Sequence, residues 1–303
     1  MSANKTNTQD AIRALLRNAS VEMTCKDTGD LAEVARLLPA GTDIFIALFP
    51  NQTWDELTAA AKAVREAGLN PVPHVPGRRV QNRAEVAEIA RKLTKVAGCT
   101  KLLLIAGDMP APEGEYDSTI GILETGELTA AGISSICMAG HPEGHAHMTP
   151  EQQRKYESRK VELAKQQGFE LTFMTQVCFE SEPIIAWEQL LRANGISTPV
   201  RPGLAGPASI KTLLRYAKIC GAGASIRALT GGKAGLVGAL LTDNGPEEVV
   251  TQLAGSQASG ASNFAGVHLF AFGGFLKTCK WLAAVQNGRF KVNDRGDDFS
   301  VSI

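Results

Sequence analysis

The chain has 303 residues, 44% apolar and 20% charged, with 31 basic residues balancing 31 acidic ones. Such a balance provides no long-range field for a polyanion and argues against a nucleic-acid partner. No apolar run approaches the roughly 18 residues of a membrane span, and the polar start MSANKTNTQD lacks the hydrophobic segment of a secretory signal, so a cytoplasmic protein with no membrane partner is expected.

A short helix over residues 11–16 comes first, inside an expected N-terminal extension of residues 1–19. Short apolar, β-branched runs then alternate with segments of helical period. The runs are SVEMTC around Glu22, DIFIAL around Phe45, NPVPHV around His74, KLLLIA around Leu103, ISSICMA around Ile136, ELTFMTQVC around Met174, PVRPGL around Arg201 and GVHLFAF around Leu269. Between them, Thr53 with Glu56 forms a capping box ahead of Trp54, Leu57, Ala61 and Val64, and Gly68 closes that helix. Thr149, Pro150 and Gln152 open a long polar helix ending near Gly168. Pro183 opens another, with Ile184, Trp187, Leu190 and Leu191 spaced for burial and Gly195 as its stop.

Eight strands alternating with helices predict an α/β fold: a single (β/α)8 TIM-type barrel over residues 1–303. The competing doubly wound sheet wants G-x-G-x-x-G after its first strand, which is missing, and CGAGASIRALTGGKAG fits neither that fingerprint nor a P-loop. Cys25, Cys99, Cys137, Cys178, Cys220 and Cys279 are scattered without a CxxC pair and read as reduced core thiols.

In such a barrel chemistry gathers where strands end. Glu22 lies within an apolar strand, where an unpaired buried carboxylate would cost several kcal/mol. It is therefore partnered or neutral, the second state suiting a general acid; otherwise it is a solvent-facing residue of an alternating strand. His74 ends the third strand. The fourth ends in Ala106, Gly107 and Asp108, where a glycine permits close approach of a flat ligand and a carboxylate accepts ring N–H groups, although aspartate also serves as a cap or turn residue. Gln176, in the sixth, offers a donor and an acceptor to a heterocycle edge or to a structural hydrogen bond. The stretch HPEGHAH sets His141, His145 and His147 within seven residues, in a chain with five histidines. That is either a metal site or the rim of a pocket.

These motifs resemble the 5,10-methylenetetrahydrofolate reductase family, in register over residues 22–272. LLLIAGD resembles its L-R-G-D strand end, HPEGH its Y-P-E-x-H, MTQVCF its I-T-Q-F-F-F, and RPGLAGPAS its P-G-I-x-P loop. The resemblance implies a barrel that binds FAD, takes electrons from NADH or NADPH, and reduces the methylene bridge of a folate substrate to a methyl group. It gives Glu22 the role of general acid at the folate nitrogen, opening the five-membered ring to an iminium ion. It sets Asp108 near flavin and pterin and gives Gln176 a substrate contact. His74, Ala106, Gly107, Asp108, His141, His145 and Lys165 fall on flavin-binding positions, with His141 where the family usually has tyrosine. In that context the histidines read as cofactor rim, no metal is expected, and His147 is an exposed loop residue. Assembly into a homo-oligomer stays open.

Two departures stand out. Glu22 runs into MTCKDTGD, where the family has an aromatic and two prolines. HLFAFGGF lacks the family's T-L-N-R, leaving Arg78, Arg79, Arg201, Arg227 or Lys277 to hold the substrate's glutamate tail. PHVPGRRVQNRAEV resembles members that work without tightly held flavin, in which hydride would pass directly from NADH. The alternatives are a metal-dependent hydrolase using His141, His145 and His147 with Asp108, although its usual H-x-H on the first strand is missing, and a non-catalytic folate or flavin binder. A lysine-dependent aldolase would want its lysine at a strand end, whereas Lys101 opens its strand.

Overall fold

A computed structural model describes residues 2–107, 109–145, 147–209, 211–213, 215 and 243–302. All the expected strands form: β1 (Ser20–Thr24), β2 (Asp43–Ala47), β3 (Asn70–Pro76), β4 (Lys101–Ile105), β5 (Ser135–Gly140), β6 (Glu170–Cys178), β7 (Val200–Ala205) and β8 (His268–Phe270). They close in the order β1-β8-β7-β6-β5-β4-β3-β2, each pair parallel, which is the (β/α)8 barrel. The opening helix α1 spans Ser2–Leu16, well beyond residues 11–16. Two small antiparallel pairs were not anticipated: residues 208–209 with 243–244, and 290–292 with 299–301.

Alternation along each strand sorts the core into two shells. Val21, Met23, Ile44, Ile46, Leu102, Leu104 and Met138 point outward into a continuous core with the surrounding helices. Phe45, Val72, Leu103, Cys137 and Met174 form a separate cluster that fills the barrel. Below it, at the N-terminal ends of the strands, lies a polar floor. Lys101 Nζ meets Asp43 Oδ2 at 2.8 Å, and Asn70 Nδ2 donates to Asp43 Oδ1. Arg201 Nη1 donates to the Asn18 carbonyl at 2.6 Å on the same level. Buried there, Arg201 is far from any substrate tail at the opposite end, correcting that expectation; the floor ion pair likewise takes Lys101 from an aldolase.

Side-chain caps open some of the helices. Helix α2 covers Leu31–Leu37 and α3 Trp54–Glu66, the latter opened by the Thr53–Glu56 capping box. Helix α4 spans Arg83–Ala97, α5 Thr119–Glu124 and α6 Glu127–Ala130. Helix α7, Pro150–Gln167, carries the Thr149–Gln152 box, each side chain satisfying the other's backbone N–H. Replacing Thr149 by alanine should therefore cost about 1 kcal/mol, read as a lower urea midpoint at unchanged slope. Helix α8 (Ser181–Ala193) starts before Pro183 and leaves Leu190 exposed, although its spacing suggested burial. Helices α9 (Glu247–Ala258) and α10 (Phe275–Gln286) flank β8.

Candidate active site at the C-terminal mouth

Because Val21 and Met23 face outward, Glu22 between them faces into the barrel, in register with Phe45 of β2. His74, on the inward face of β3, brings its Nε2 to 3.8 Å from Glu22 Oε2. That nitrogen is buried without a hydrogen-bond partner. Burial, reinforced by the negative charge of Asp27, pushes the Glu22 carboxyl up to about 8. Asp27 is fixed by the Thr24 N–H at 2.7 Å and the Thr24 hydroxyl at 2.8 Å. Burial pulls the His74 imidazole down to about 3. At neutral pH the pair is thus a protonated acid beside a neutral ring, and not an ion pair. A second buried histidine, His268, lies deeper: its Nδ1 is 3.0 Å from Ser20 Oγ, and Phe45 stands edge-on to it at 4.7 Å.

At the end of β4, the Ala106 carbonyl accepts the Arg78 N–H at 2.9 Å. Gly107 follows with φ +94, in the left-handed region, and a Cβ there would lie 3.0 Å from Pro76 Cβ, so glycine suits the turn on both counts. Asp108 lies outside the described residues.

Beyond β5, the His141 and His145 rings stand perpendicular at 4.8 Å, with His147 at 5.9 Å from His145. Burial first, then Lys160 and His145, pull His141 down to about 3; burial also lowers His145. The His147 N–H donates to His145 Nδ1 at 3.1 Å, occupying one potential ligand atom. Among the described residues no three His, Cys, Asp or Glu side chains converge to hold a metal ion.

Lys165, expected at the cofactor, is not brought to this mouth. It is exposed in the last turn of α7, where the chain heads for the barrel floor. Among the described residues the buried lysine is Lys160, whose Nζ donates to the Ala139 carbonyl at 2.9 Å and which burial lowers to about 8, against the opposing Glu157 charge. Gln153, Glu157, Lys160 and Ala164 form an i, i+4, i+7, i+11 stripe that could have revealed it, hidden because three members are polar. Glu157 Oε1 accepts from Trp187 Nε1 at 2.9 Å and from Gln153 Nε2 at 3.0 Å, and that amide also reaches the His141 carbonyl at 2.9 Å. The histidine loop is therefore tied to α7 and α8.

Gln176 sits in an irregular stretch of β6, where the register shifts between Met174 and Val177. The Thr175 hydroxyl accepts from the Gly203 N–H at 2.8 Å and donates to the Gln176 carbonyl at 2.8 Å. The Gln176 amide donates to Glu143 Oε2 at 3.3 Å, so its contact is with the histidine loop and not with Glu22. Sequence reasoning missed the facing aromatic wall. Phe270 and Phe272 stack at 6.1 Å and 14°, packed with Phe179, Val177, Ala205, Ala208 and Leu213. Phe272 takes φ +48, a conformation rare outside glycine that no sequence period announces.

The proposed tail-binding cations fare unevenly. Arg78 donates to the carbonyls of Met109 and Asp117, and Arg79 to those of Phe49 and Gln52 while lying over Trp54 at 5.5 Å, so both knit mouth loops together. Lys277 is partly buried in the first turn of α10; Arg227 is outside the described residues.

A protein-family model described as methylenetetrahydrofolate reductase matches residues 35–228. Over 148 residues, 45% of this chain, the sequence is 27% identical to methylenetetrahydrofolate reductase 1 of Schizosaccharomyces pombe (strain 972 / ATCC 24843), of whose length it spans 23%. A crystal structure of a candidate lyase/mutase from Burkholderia cenocepacia J2315 aligns over 90% of this chain and 84% of that one, with 13% identity and a TM-score of 0.47, too low to carry an argument. Glu22 and the β8 wall fall outside the family match, so their place rests on the barrel geometry.

Proposed function

The chain belongs to the methylenetetrahydrofolate reductase family, and from that membership we propose that it is a folate oxidoreductase interconverting 5,10-methylenetetrahydrofolate and 5-methyltetrahydrofolate. The observation that carries this reading is Glu22: a carboxyl raised to about 8 by burial inside the barrel keeps its proton at neutral pH, as ring opening demands. Protonation of the folate nitrogen breaks the five-membered ring and leaves an electrophilic iminium carbon. Gln176 would fix the pterin edge through its amide, and the Phe270–Phe272 wall would shield the ring from water.

The donor set fits a flavin dinucleotide. Lys160 supplies a buried ammonium, and beside it His141 and His145 are neutral rings with N–H groups to offer an anionic diphosphate. In keeping with the family resemblance, the Ala106–Gly107 backbone, His74 and Asp108 would also take part in holding the flavin. When bound, FAD would relay hydride from NADH or NADPH to the iminium carbon; without it, the nicotinamide would serve directly. The hydrolase reading is not favoured, since the three histidines do not converge.

The deciding assay is consumption of NADH or NADPH dependent on methylenetetrahydrofolate, with 5-methyltetrahydrofolate identified as product. No turnover with either nicotinamide, with or without added FAD, would overturn the reading. For the cofactor, Lys160→Met should weaken flavin binding by roughly 10- to 100-fold, the worth of a charge-assisted hydrogen bond, measured as flavin absorbance retained through gel filtration. Equal retention in both proteins removes Lys160 from the cofactor site.

A further inference from the structure

We propose that His74 is a positioning residue for Glu22, holding one carboxyl oxygen so that the acidic proton sits on the other, and supporting the carboxylate once that proton has left. The inference rests on the reading of Glu22 as the general acid. Its basis is geometric: an inward imidazole on β3 faces an inward carboxyl on β1 across a single intervening strand, 3.8 Å apart, and the facing nitrogen is buried without a partner.

The other groups around the pair cannot take this role. Asp27 only accepts hydrogen bonds and is already engaged by Thr24. Phe45, in register with Glu22 and edge-on to His74 at 6.2 Å, has no donor. His268 faces His74 from β8 with its Nδ1 on Ser20 and its Nε2 also buried without a partner, but the imidazole in contact with the Glu22 carboxyl is that of His74; Arg201 beyond it is bonded at the floor. A carboxylate formed at Glu22 therefore faces the unpartnered His74 Nε2, which can donate to it.

The separation exceeds a hydrogen bond by about 1 Å, a gap that rotation of the soft terminal carboxyl torsion can close. In the tautomer with hydrogen on Nε2, His74 donates to Oε2 and leaves the acidic hydrogen on Oε1 for the substrate. When that hydrogen moves to the folate nitrogen, the same Nε2–H donates to a full negative charge and the contact strengthens. No proton enters or leaves His74, which remains neutral throughout.

The test uses the full chain with His74→Phe, which suits the apolar surroundings, and His74→Gln, whose amide restores a donor. Glutamate carboxyls are labelled with carbon-13 and titrated by NMR, with Glu22→Gln identifying the Glu22 signal. Removing a donor that favours the charged form should move the Glu22 midpoint upward by about one pH unit in His74→Phe, with His74→Gln near wild type. In folate turnover, His74→Phe should lose roughly 10- to 100-fold in kcat with KM within about threefold, since the contact tightens during proton transfer. An unmoved midpoint in His74→Phe, or an equal rise in both variants, overturns the proposal. Because the titration needs no catalysis, it judges the contact even if wild-type protein fails to turn over folate, a result that would sink the functional reading instead.

Discussion

Glu22→Gln should lose folate turnover on the order of 10²- to 10⁴-fold in kcat, the range a positioned general acid contributes, while substrate binding stays close to wild type. The amide matches the carboxylic acid in shape and can still donate a hydrogen bond, so the ground-state complex survives. It has no proton acidic enough to open the folate ring, so the chemical step stalls. In wild-type protein the reactive form is the protonated one. With the carboxyl at about 8, rates limited by ring opening should be level at neutral pH and fall as pH rises through that value. Asp27→Asn, which removes the charge that helps hold the carboxyl neutral, should shift this alkaline limb downward. Stability follows the same group: its value is raised from 4.5 to about 8 on folding, so between those limits the folded state binds more protons and loses stability as pH rises. Glu22→Gln should lack that loss. Single-turnover kinetics with preformed methylenetetrahydrofolate provide the rates, and urea unfolding at several pH values the stabilities. Turnover near wild type in Glu22→Gln would remove this residue from the mechanism.

The barrel was legible because each strand must bury one face against helices and fill the interior with the other, so every strand appeared as an apolar run between polar segments. The positions of Glu22, His74 and Gln176 on strands followed from that pattern. What the pattern does not convey is depth. Arg201 and Lys101 belong to strands just as Glu22 does, but they stand at the other end, where Asp43 and the Asn18 carbonyl satisfy them. The family resemblance pointed to Lys165, whereas the lysine that packs inward from α7 is Lys160, on a face shared with Gln153, Glu157, Leu163 and Ala164, where Gln153 reaches the His141 carbonyl and Lys160 the Ala139 carbonyl. Leu190 looked buried by spacing and is not, since Trp187, Ile184 and Leu191 already cover that side of α8. The Phe270–Phe272 stack depends on a positive φ at Phe272, a local choice that only the packed loop imposes. Networks of mutually satisfied polar groups and irregular loops are the parts whose partners come from distant sequence.

One such network carries the last large effect expected here: Trp187→Ala should destabilise the protein by about 3–5 kcal/mol, the cost of deleting a buried Trp or Phe side chain. The Trp187 ring lies over the end of β5, so close to Gly140 that a Cβ there would fall 2.2 Å from Cη2, and it packs edge-on to Phe173 at 5.8 Å. Truncation opens a cavity between α8 and the barrel and also takes a donor from Glu157, a buried carboxylate left with Gln153. The two losses can be separated. Trp187→Phe keeps most of the volume and forfeits the N–H, so it should cost about 1.5–3 kcal/mol, the worth of a hydrogen bond to a charged group. Glu157→Gln in the Trp187→Phe background should cost more still, because it also removes the charge that faces the buried Lys160. Urea midpoints at constant slope measure all three proteins. The same ties reach the His141 carbonyl through Gln153, so the flavin affinity proposed for this loop should fall in Trp187→Ala even where the protein remains folded. If Trp187→Ala unfolded within about 1 kcal/mol of wild type, the ring would be ornamental to the core, and the histidine loop would have to owe its position to β5 alone.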